Sequence, residues 1–273
     1  MLGLSDCFTL KPVYRAADLL AAYDEQLRGR AESDPAVETD SDGPLVRVHY
    51  RRRGFVGYRS LEGLSDQQLD ALIDRQIAHF ADRGQAFEWK TRGHDWPSDL
   101  PERLRARGFE PEPRETVLIG VAAQMATDLV LPDGITLRSV WADEDMRRVA
   151  AMESSVWGED WSWLADELIG LVAGGHTEVL VAEADEEVVS AGWIVYKPGT
   201  DFAGIWGGST LKAWRGRGIY RTLVARRAQL AVGLGYRFLQ VDASDDSRPI
   251  LERLGFVAVT TTTPYVWTPL AGP

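Results

Sequence analysis

Two short sequence motifs each occur once in each half of this chain, and they constrain the fold more than any other feature. A helical segment followed by G-x-x-F occurs at 84–87 and again at 235–238, 151 residues later. An L-x-x-x-G-F motif occurs at 104–109 and again at 251–256, 147 residues later. Because both motifs keep their order and their offsets differ by only four residues, a small loop difference, we predict a tandem duplication of one α/β unit. The alternative is a coincidence of common helix endings.

The second half alternates between strand and helix patterns. Residues 202–211 predict a strand, and the basic turn RGRGIY (215–220) leads into apolar residues at helical spacing as far as Leu234. A compact strand at 238–241 and a short helix follow, and the β-branched run at 257–263 predicts a last strand.

The first half has the same order of patterns. Residues 54–60 are strand-like, and Ser65 with Gln68 predicts a capping box at the start of a helix. One face of that helix is apolar, formed by Leu69, Leu72, Ile73, Ile77 and Phe80. A strand beginning at Phe87 and a second short helix complete the unit.

The sequence pattern changes around 122–132, and the segment AAQMATDLVLPDG (122–134) ends in a Pro-Asp-Gly turn signal. This change predicts the domain boundary. We expect one domain over 1–125 and another over 133–273. A chain of 273 residues, 45% hydrophobic and 26% charged, is long enough for two globular domains. The predicted fold class is α/β with a mixed α+β sheet, in two tandem domains.

Charge and cysteine content exclude several classes of protein. The formal net charge of −11 argues against nucleic-acid and anionic-membrane partners, which need a basic face. The single cysteine, Cys7, rules out an internal disulfide framework. The histidines at 49, 79, 94 and 176 lack metal-ligand spacing, so we predict no metal site. Neither a signal peptide nor an apolar run of about 20 residues is present, and we expect a cytoplasmic protein.

The RGRGIY turn is a candidate anion site. A turn from a strand into a helix presents free backbone N–H groups and the positive end of the helix dipole. Gly216 and Gly218 would let a phosphate approach the backbone, while Arg215 and Arg217 supply positive charge. Taken alone, the six residues also fit an ordinary helix-start turn.

The order of strand, R-x-x-G turn, amphipathic helix, strand, short helix ending in L-G-F, and strand resembles the GCN5-related N-acetyltransferase (GNAT) family. The resemblance runs from about Ile135 to the C-terminus, and the first half looks like a degenerate copy. In the family's Q/R-x-x-G-x-G/A motif, Arg215 and Gly218 match. Tyr220 replaces the last small residue, which narrows the phosphate site unless its side chain points outward.

The resemblance implies acetyl-CoA as cofactor. Its pyrophosphate would lie on the backbone of 217–220, and its pantetheine would pair with the end of the preceding strand. The cofactor-binding residues so implied are Gly208, Ser209, Thr210, Arg215, Gly216, Arg217, Gly218, Ile219, Tyr220 and Ser247.

The first half lacks the features of that turn. With the 151-residue offset, LSDQQL (64–69) stands where RGRGIY stands, and it has no glycine. Asp66 would repel a pyrophosphate there. We therefore predict that the first domain binds no CoA and either completes the acceptor cleft or stabilises the second domain.

Two positions that often carry catalytic groups in the family are empty here. No carboxylate lies between Phe202 and Lys212, and Leu251 stands where a tyrosine acid is frequent. The candidate bases are then Glu153 and Glu159, with Asp160 and Asp242 as further choices, and the candidate acids are Tyr265, Ser244 and Ser247.

Trp157, Trp161 and Trp163 lie among acidic residues in 153–168, a composition that suits an amine with an apolar body. The alternative is that these tryptophans are core residues. We predict an N-acetyltransferase that acts on the amine of a small molecule and is either a monomer or a homodimer. The alternatives are a non-catalytic acyl-CoA-binding or sensing protein and a protein N-acetyltransferase. The basic triplet 51–53 predicts a solvated edge strand.

Overall fold

The computed structural model describes residues 14–29 and 38–269. Cys7, the N-terminal segment and Leu270 lie outside the described residues, so the predictions that rest on them are not addressed by the structure. Within the described part, no helix is long and apolar enough to cross a membrane.

The two halves contain helices and strands in similar order. The first half has α1 (Ala16–Gln26), β1 (Glu38–Asp42), β2 (Leu45–His49), β3 (Gly54–Tyr58), α2 (Asp66–Asp82), β4 (Phe87–Arg92), α3 (Leu100–Arg105), β5 (Glu110–Pro111), β6 (Glu115–Val121) and α4 (Ala122–Met125). The second half has β7 (Ile135–Val140), α5 (Asp143–Trp157), α6 (Trp163–Ala173), β8 (Thr177–Ala184), β9 (Glu187–Tyr196), β10 (Phe202–Thr210), α7 (Ile219–Gly233), β11 (Phe238–Ala243), α8 (Arg248–Arg253) and β12 (Val257–Trp267).

The strands of the described residues form one mixed sheet of twelve strands. Their order is β1-β2-β3-β4-β12-β6-β11-β10-β9-β8-β7, and β5 pairs with β12. Two neighbouring pairs, β3 with β4 and β10 with β11, are parallel, and the others are antiparallel. The predicted fold class of mixed α/β structure is confirmed.

The last strands of the two halves are exchanged. β6 of the first half lies between β11 and β12, and it pairs with β11 along its length. The C-terminal part of β12, 262–267, pairs with β4 of the first half. The boundary expected between 125 and 133 therefore separates the halves along the chain, whereas the sheet continues across it.

The pairing around β12 repeats the offset found in the sequence. Tyr265 pairs with Pro111 of β5, and Ala258 pairs with Leu118 of β6. Adding 147 to the numbers of Pro111 and Leu118 gives 258 and 265, the numbers of the other two paired residues. The two strand pairings are therefore equivalent under the offset of the duplication. This match agrees with the duplication, which stays a prediction.

The start of α2 and the ends of two helices follow from local sequence. The predicted capping box is confirmed: Ser65 Oγ accepts from the Gln68 N–H, and Gln68 Oε1 accepts from the Ser65 N–H. Gly84 and Gly235 follow the ends of α2 and α7 with φ of +61° and +85°, values that favour glycine.

Helices from both halves pack on the sheet, and α1 of the first half contacts Phe202 and Phe238 of the second. The first-half core includes Phe80, Phe87 and Trp89 and also receives Tyr265 from β12. The core between α7 and the sheet contains residues such as Val224, Leu239 and Phe256, and it holds α7 against β10. The N-terminus of α7 is thereby fixed at the end of β10, where the candidate site lies.

Candidate active site

The parallel strands β10 and β11 separate after three paired positions. Pairing runs from Phe202 with Phe238 to Gly204 with Gln240, and β10 continues to Thr210 without a partner on that side. The pairing of β10 with β9 shifts register between Gly207 and Ser209. The separation leaves backbone groups of β10 available to an amide-bearing ligand.

Gly207 and Gly208 are required at this irregularity. Both have positive φ, +64° and +89°. A Cβ atom on Gly207 would lie 2.4 Å from the Trp193 ring, and one on Gly208 would lie 2.6 Å from the Tyr220 ring. Tyr220 therefore packs inward over Gly208 rather than pointing outward, and a larger residue at either glycine would displace an aromatic side chain.

The N-terminus of α7 is open. Gly218 is its N-cap residue with φ of +86°, and no side chain of residues 14–29 or 38–269 caps the helix. The first N–H groups of a helix have no partner within it, so those of 219–221 face outward at the positive end of the dipole. A Cβ atom at Gly216 would meet no atom within 4 Å, which leaves room for a ligand above the turn.

The arginines of the turn have different environments. Arg215 Nε donates to Thr210 O at 2.9 Å, and this bond ties the turn to the end of β10. The Arg217 guanidinium lies 4.7 Å from the centre of the Trp214 ring. Sequence reasoning missed Arg221, whose Nη2 lies 3.8 Å from the Cβ position at Gly218 and adds a third cation at the turn.

A cavity of about 450 Å³ lies beside this helix. Its walls come from the first turns of α7, the end of α8 and the segment that joins the two halves. Arg221, Arg253 and Asp128 all line it, so its walls carry two cations and one carboxylate. The joining segment is held against α7 by Thr222 Oγ1, which donates to Val130 O, and by Gln229 Nε2, which donates to Thr127 O at 2.9 Å.

The corresponding helix start in the first half is occupied by protein groups. Ser65 caps α2 with its own side chain. Asp66, at the same turn, accepts from Arg103 Nη2 at 2.6 Å. The two helix N-termini thus differ as the sequence predicted: one is capped and acidic, and the other is uncapped and rich in glycine.

Glu153 on α5 lies near the end of β10. Glu153 is 2% exposed, and its Oε2 accepts a hydrogen bond from Trp157 Nε1 at 2.9 Å. Oε1 is buried without a hydrogen-bond partner among the described residues. Burial raises the pKa of this carboxyl group, and the nearby Ser209 and Trp157 side chains offset the rise in part. A buried carboxyl group beside Ser209 is positioned to accept a proton.

Arg227 of α7 is a second buried charge that sequence reasoning missed. Its Nη1 donates to Trp206 O at 3.0 Å and to Trp193 O at 3.4 Å. Its Nη2 has no hydrogen-bond partner in the described part of the chain and lies 3.6 Å from the Cβ position at Gly208. Burial lowers the pKa of Arg227 to about 10. This side chain braces β9 and β10 at the irregularity.

The three tryptophans form a stacked row that begins beside Glu153. Ring centres lie 5.9 Å apart for Trp157 and Trp161, and 5.1 Å apart for Trp161 and Trp163. Trp157 is 54% exposed, whereas the other two are partly buried against the core under α5 and α6. The Arg52 guanidinium lies 3.9 Å from the centre of Trp163. The strand predicted at 51–53 was wrong, because these residues form the loop between β2 and β3. Arg51 and Arg52 are exposed, as predicted, and Arg52 contacts the second half through Trp163.

The position of Tyr265 contradicts its predicted role as the catalytic acid. Tyr265 is 3% exposed in the first-half core, and β6 and β11 lie between its strand and β10. Three strand spacings amount to about 14 Å, beyond reach of a group bound at the end of β10. The exchange of β12 carries this tyrosine away from the site.

The other candidates are placed as follows. Asp242 accepts from Lys90 Nζ at 3.2 Å and from Gln240 Nε2, so its carboxylate is engaged. Glu159 is exposed between α5 and α6. Asp160 accepts from the Ser162 N–H at the start of α6. Ser247 begins α8, and its hydroxyl contacts Ser244.

Residues 137–256 match the family model described as Acetyltransferase (GNAT) family. This segment is a GNAT acetyltransferase domain. The GNAT domain contains α7, the separated strands and Glu153, and its family transfers acyl groups from acetyl-CoA. No curated protein matches the sequence.

Solved structures share the fold over nearly the whole chain. A GCN5-related N-acetyltransferase from Kribbella flavida has a TM-score of 0.64 at 16% identity, covering 94% of this chain and 96% of that one. One from Sphaerobacter thermophilus has a TM-score of 0.61 at 15% identity, covering 94% and 93%. A tandem GNAT protein from the clavulanic acid biosynthesis pathway has a TM-score of 0.58 at 14% identity, covering 94% and 96%. At these identities the likeness concerns the fold, which is that of two GNAT-like halves.

Proposed function

We propose that this protein transfers the acetyl group of acetyl-CoA to an amine of a small molecule, with Glu153 as the base. The observation that carries the proposal is a buried carboxyl group with a free oxygen, beside Ser209 at the end of β10. A group with this environment is typical of an acid–base site.

The cofactor-binding part rests on the N-terminus of α7. The N–H groups of 219–221 and the positive end of the helix dipole suit a pyrophosphate. Arg217 and Arg221 supply charge, whereas Arg215 holds the turn against Thr210. The pantetheine arm would run along β10 where β11 has left it, and it would bring the thioester towards Ser209.

The chemistry assigned to the chain is proton removal and positioning. The amine nitrogen forms a bond with the acetyl carbon as the carbon–sulfur bond breaks. The proton lost by the amine goes to Glu153 Oε1, directly or through one water, and the thiolate takes its proton from solvent. Arg227 fixes the backbone around Gly207 and Gly208, so the reacting groups meet a rigid strand.

A small acceptor fits the surroundings of Glu153 better than a protein does. The row from Trp157 to Trp163 makes an apolar wall that begins at the Glu153 carboxyl group. Arg52, from the first half, covers the far end of the wall by lying over Trp163. The first half would then complete the acceptor cleft instead of binding a second CoA.

The proposal is tested by CoA release from acetyl-CoA with a panel of small amines, amino-acid derivatives and peptides. We expect at least one small amine to accelerate release. Glu153→Gln should lower kcat/KM by about 10²–10⁴-fold while the Kd for acetyl-CoA stays unchanged. Glu144→Gln, an exposed change on the same helix, is the matched control and should keep full activity.

Two results would contradict the proposal in different ways. Tight binding of acetyl-CoA with no acceleration by any amine or peptide would leave an acyl-CoA-binding or sensing protein. Full activity of Glu153→Gln with loss of activity in Glu159→Gln would move the base to the loop between α5 and α6.

A further inference from the structure

Three side chains with metal-ligating atoms meet in the first half, near the β1 edge of the sheet. They are Asp40 of β1, His49 of β2 and His79 of α2, and one ligating atom from each lies within 4.8 Å of the others. β1 is seven strand positions from β10 in the order of the sheet. The cluster therefore lies away from the acetyl-transfer site.

The hydrogen bond with Gln85 sets the orientation of the His49 ring. Gln85 Nε2 donates to Tyr50 O at 2.9 Å, which fixes the orientation of the amide. Gln85 Oε1 consequently faces His49 Nδ1 at 3.0 Å and accepts a hydrogen bond from its N–H. The other nitrogen, Nε2, then carries a lone pair, and His49 is 5% exposed. Metal-binding histidines show this arrangement, in which the second ring nitrogen donates to a fixed acceptor.

The distance between the two histidines matches a shared ion. His49 Nε2 lies 3.2 Å from His79 Nε2. Two nitrogens bound at about 2.0–2.1 Å to a tetrahedral ion are about 3.3 Å apart. A hydrogen bond from His79 to His49 would give the same distance, so the carboxylate of Asp40 is the further observation that favours a cation.

We propose that Asp40, His49 and His79 bind Zn²⁺ or a similar borderline divalent cation, with water in the fourth position. Two imidazoles and a carboxylate are a common set of zinc ligands. Asp40 Oδ1 accepts a hydrogen bond from Arg47 Nε at 2.5 Å, so we assign Oδ2 to the ion. Because the positive charge of Arg47 repels the ion and weakens its binding, we expect a Kd in the micromolar range. The bound ion would tie the edge hairpin of β1 and β2 to α2.

The sequence predicted no metal site because the four histidines lack ligand spacing. His49 and His79 are 30 residues apart, and they meet only because α2 packs against the sheet beside β2. The fold, rather than a motif, makes the cluster.

Titration of the metal-stripped full-length protein with Zn²⁺ tests this site, using isothermal calorimetry and a chromophoric chelator as competitor. We expect one equivalent to bind with a Kd below about 10 µM and the melting temperature to rise. Bound Co²⁺ should show the strong visible absorption of a four-coordinate ion.

Variants identify the ligands. His79→Ala and Asp40→Asn change partly exposed side chains, and each should weaken Zn²⁺ binding at least about tenfold. Gln85→Ala should weaken it about 10–100-fold by freeing the His49 ring. His176→Ala removes an exposed histidine of the second half and should leave the Kd unchanged. Absence of a stoichiometric site in the native protein, or His79→Ala and Asp40→Asn binding as tightly as His176→Ala, would overturn the proposal.

Discussion

The change Gly218→Asp tests whether the pyrophosphate of the cofactor lies on the N-terminus of α7. Gly218 is the N-cap residue with φ of +86°. Among the described residues other than its chain neighbours, only Arg221 comes within 4 Å of its Cβ position. An aspartate therefore fits sterically. It places a carboxylate beside the N–H groups that we assign to the pyrophosphate.

Two effects of the change can be separated by size. A left-handed conformation costs a non-glycine residue about 1–2 kcal/mol, which lowers the free energy of unfolding but not the affinity of the folded protein. A carboxylate about 5 Å from one phosphate charge repels it by about 3 kcal/mol at an effective dielectric constant near 20. We therefore expect the Kd for CoA to rise about 100-fold or more.

The same helix offers a matched control at its other end. Gly235 follows α7 with φ of +85°, and a Cβ atom there meets nothing within 4 Å. Gly235→Asp thus carries similar strain and the same charge, remote from the turn. Calorimetric titration with CoA should give a Kd for Gly235→Asp within threefold of the native value. Equal weakening by both changes, or unchanged affinity of Gly218→Asp, would refute the assignment.

Three further predictions concern stability and the exchanged strand. Because burial raises the pKa of Glu153, the folded state loses stability as the pH rises from the ordinary carboxyl pKa towards the raised one. Glu153→Gln should therefore increase the melting temperature at pH 8 but not at pH 4, and an equal change at both pH values would argue against burial as the cause. Tyr265→Phe should keep kcat within twofold, because the tyrosine lies in the first-half core; a large loss in the steady-state assay would restore its acid role. Removal of 1–128 deletes β6, the strand between β11 and β12, and should abolish cooperative unfolding in circular dichroism. A cooperative transition in that fragment would show that the second half folds alone.

The order of elements was largely accessible from the sequence. The periodicity and glycine endings predicted β10, α7, β11 and α8, and the Ser65 capping box was predicted to the residue. These features are local, since each depends on side chains a few positions apart. The exchange of β6 and β12 was not accessible, because a strand pattern does not identify which neighbour the strand pairs with.

The site was predicted in part for the same reason. Gly208, Ser209 and Thr210 were expected at the cofactor-binding end of β10, and the structure has a register shift there, between Gly207 and Ser209. The roles of Arg221 and Arg227 escaped notice because both lie within an ordinary helical pattern. Tyr220 stood out as a departure from the family motif, and only the packing over Gly208 explains it.

A crystal structure with acetyl-CoA bound tests the central claim most directly. We predict that the pyrophosphate accepts hydrogen bonds from the N–H groups of 219–221. We also predict that the thioester lies beside Ser209, where an amine could reach Glu153 directly or through one water. A cofactor on the N-terminus of α2, or a thioester on the side of the sheet away from Glu153, would contradict the account.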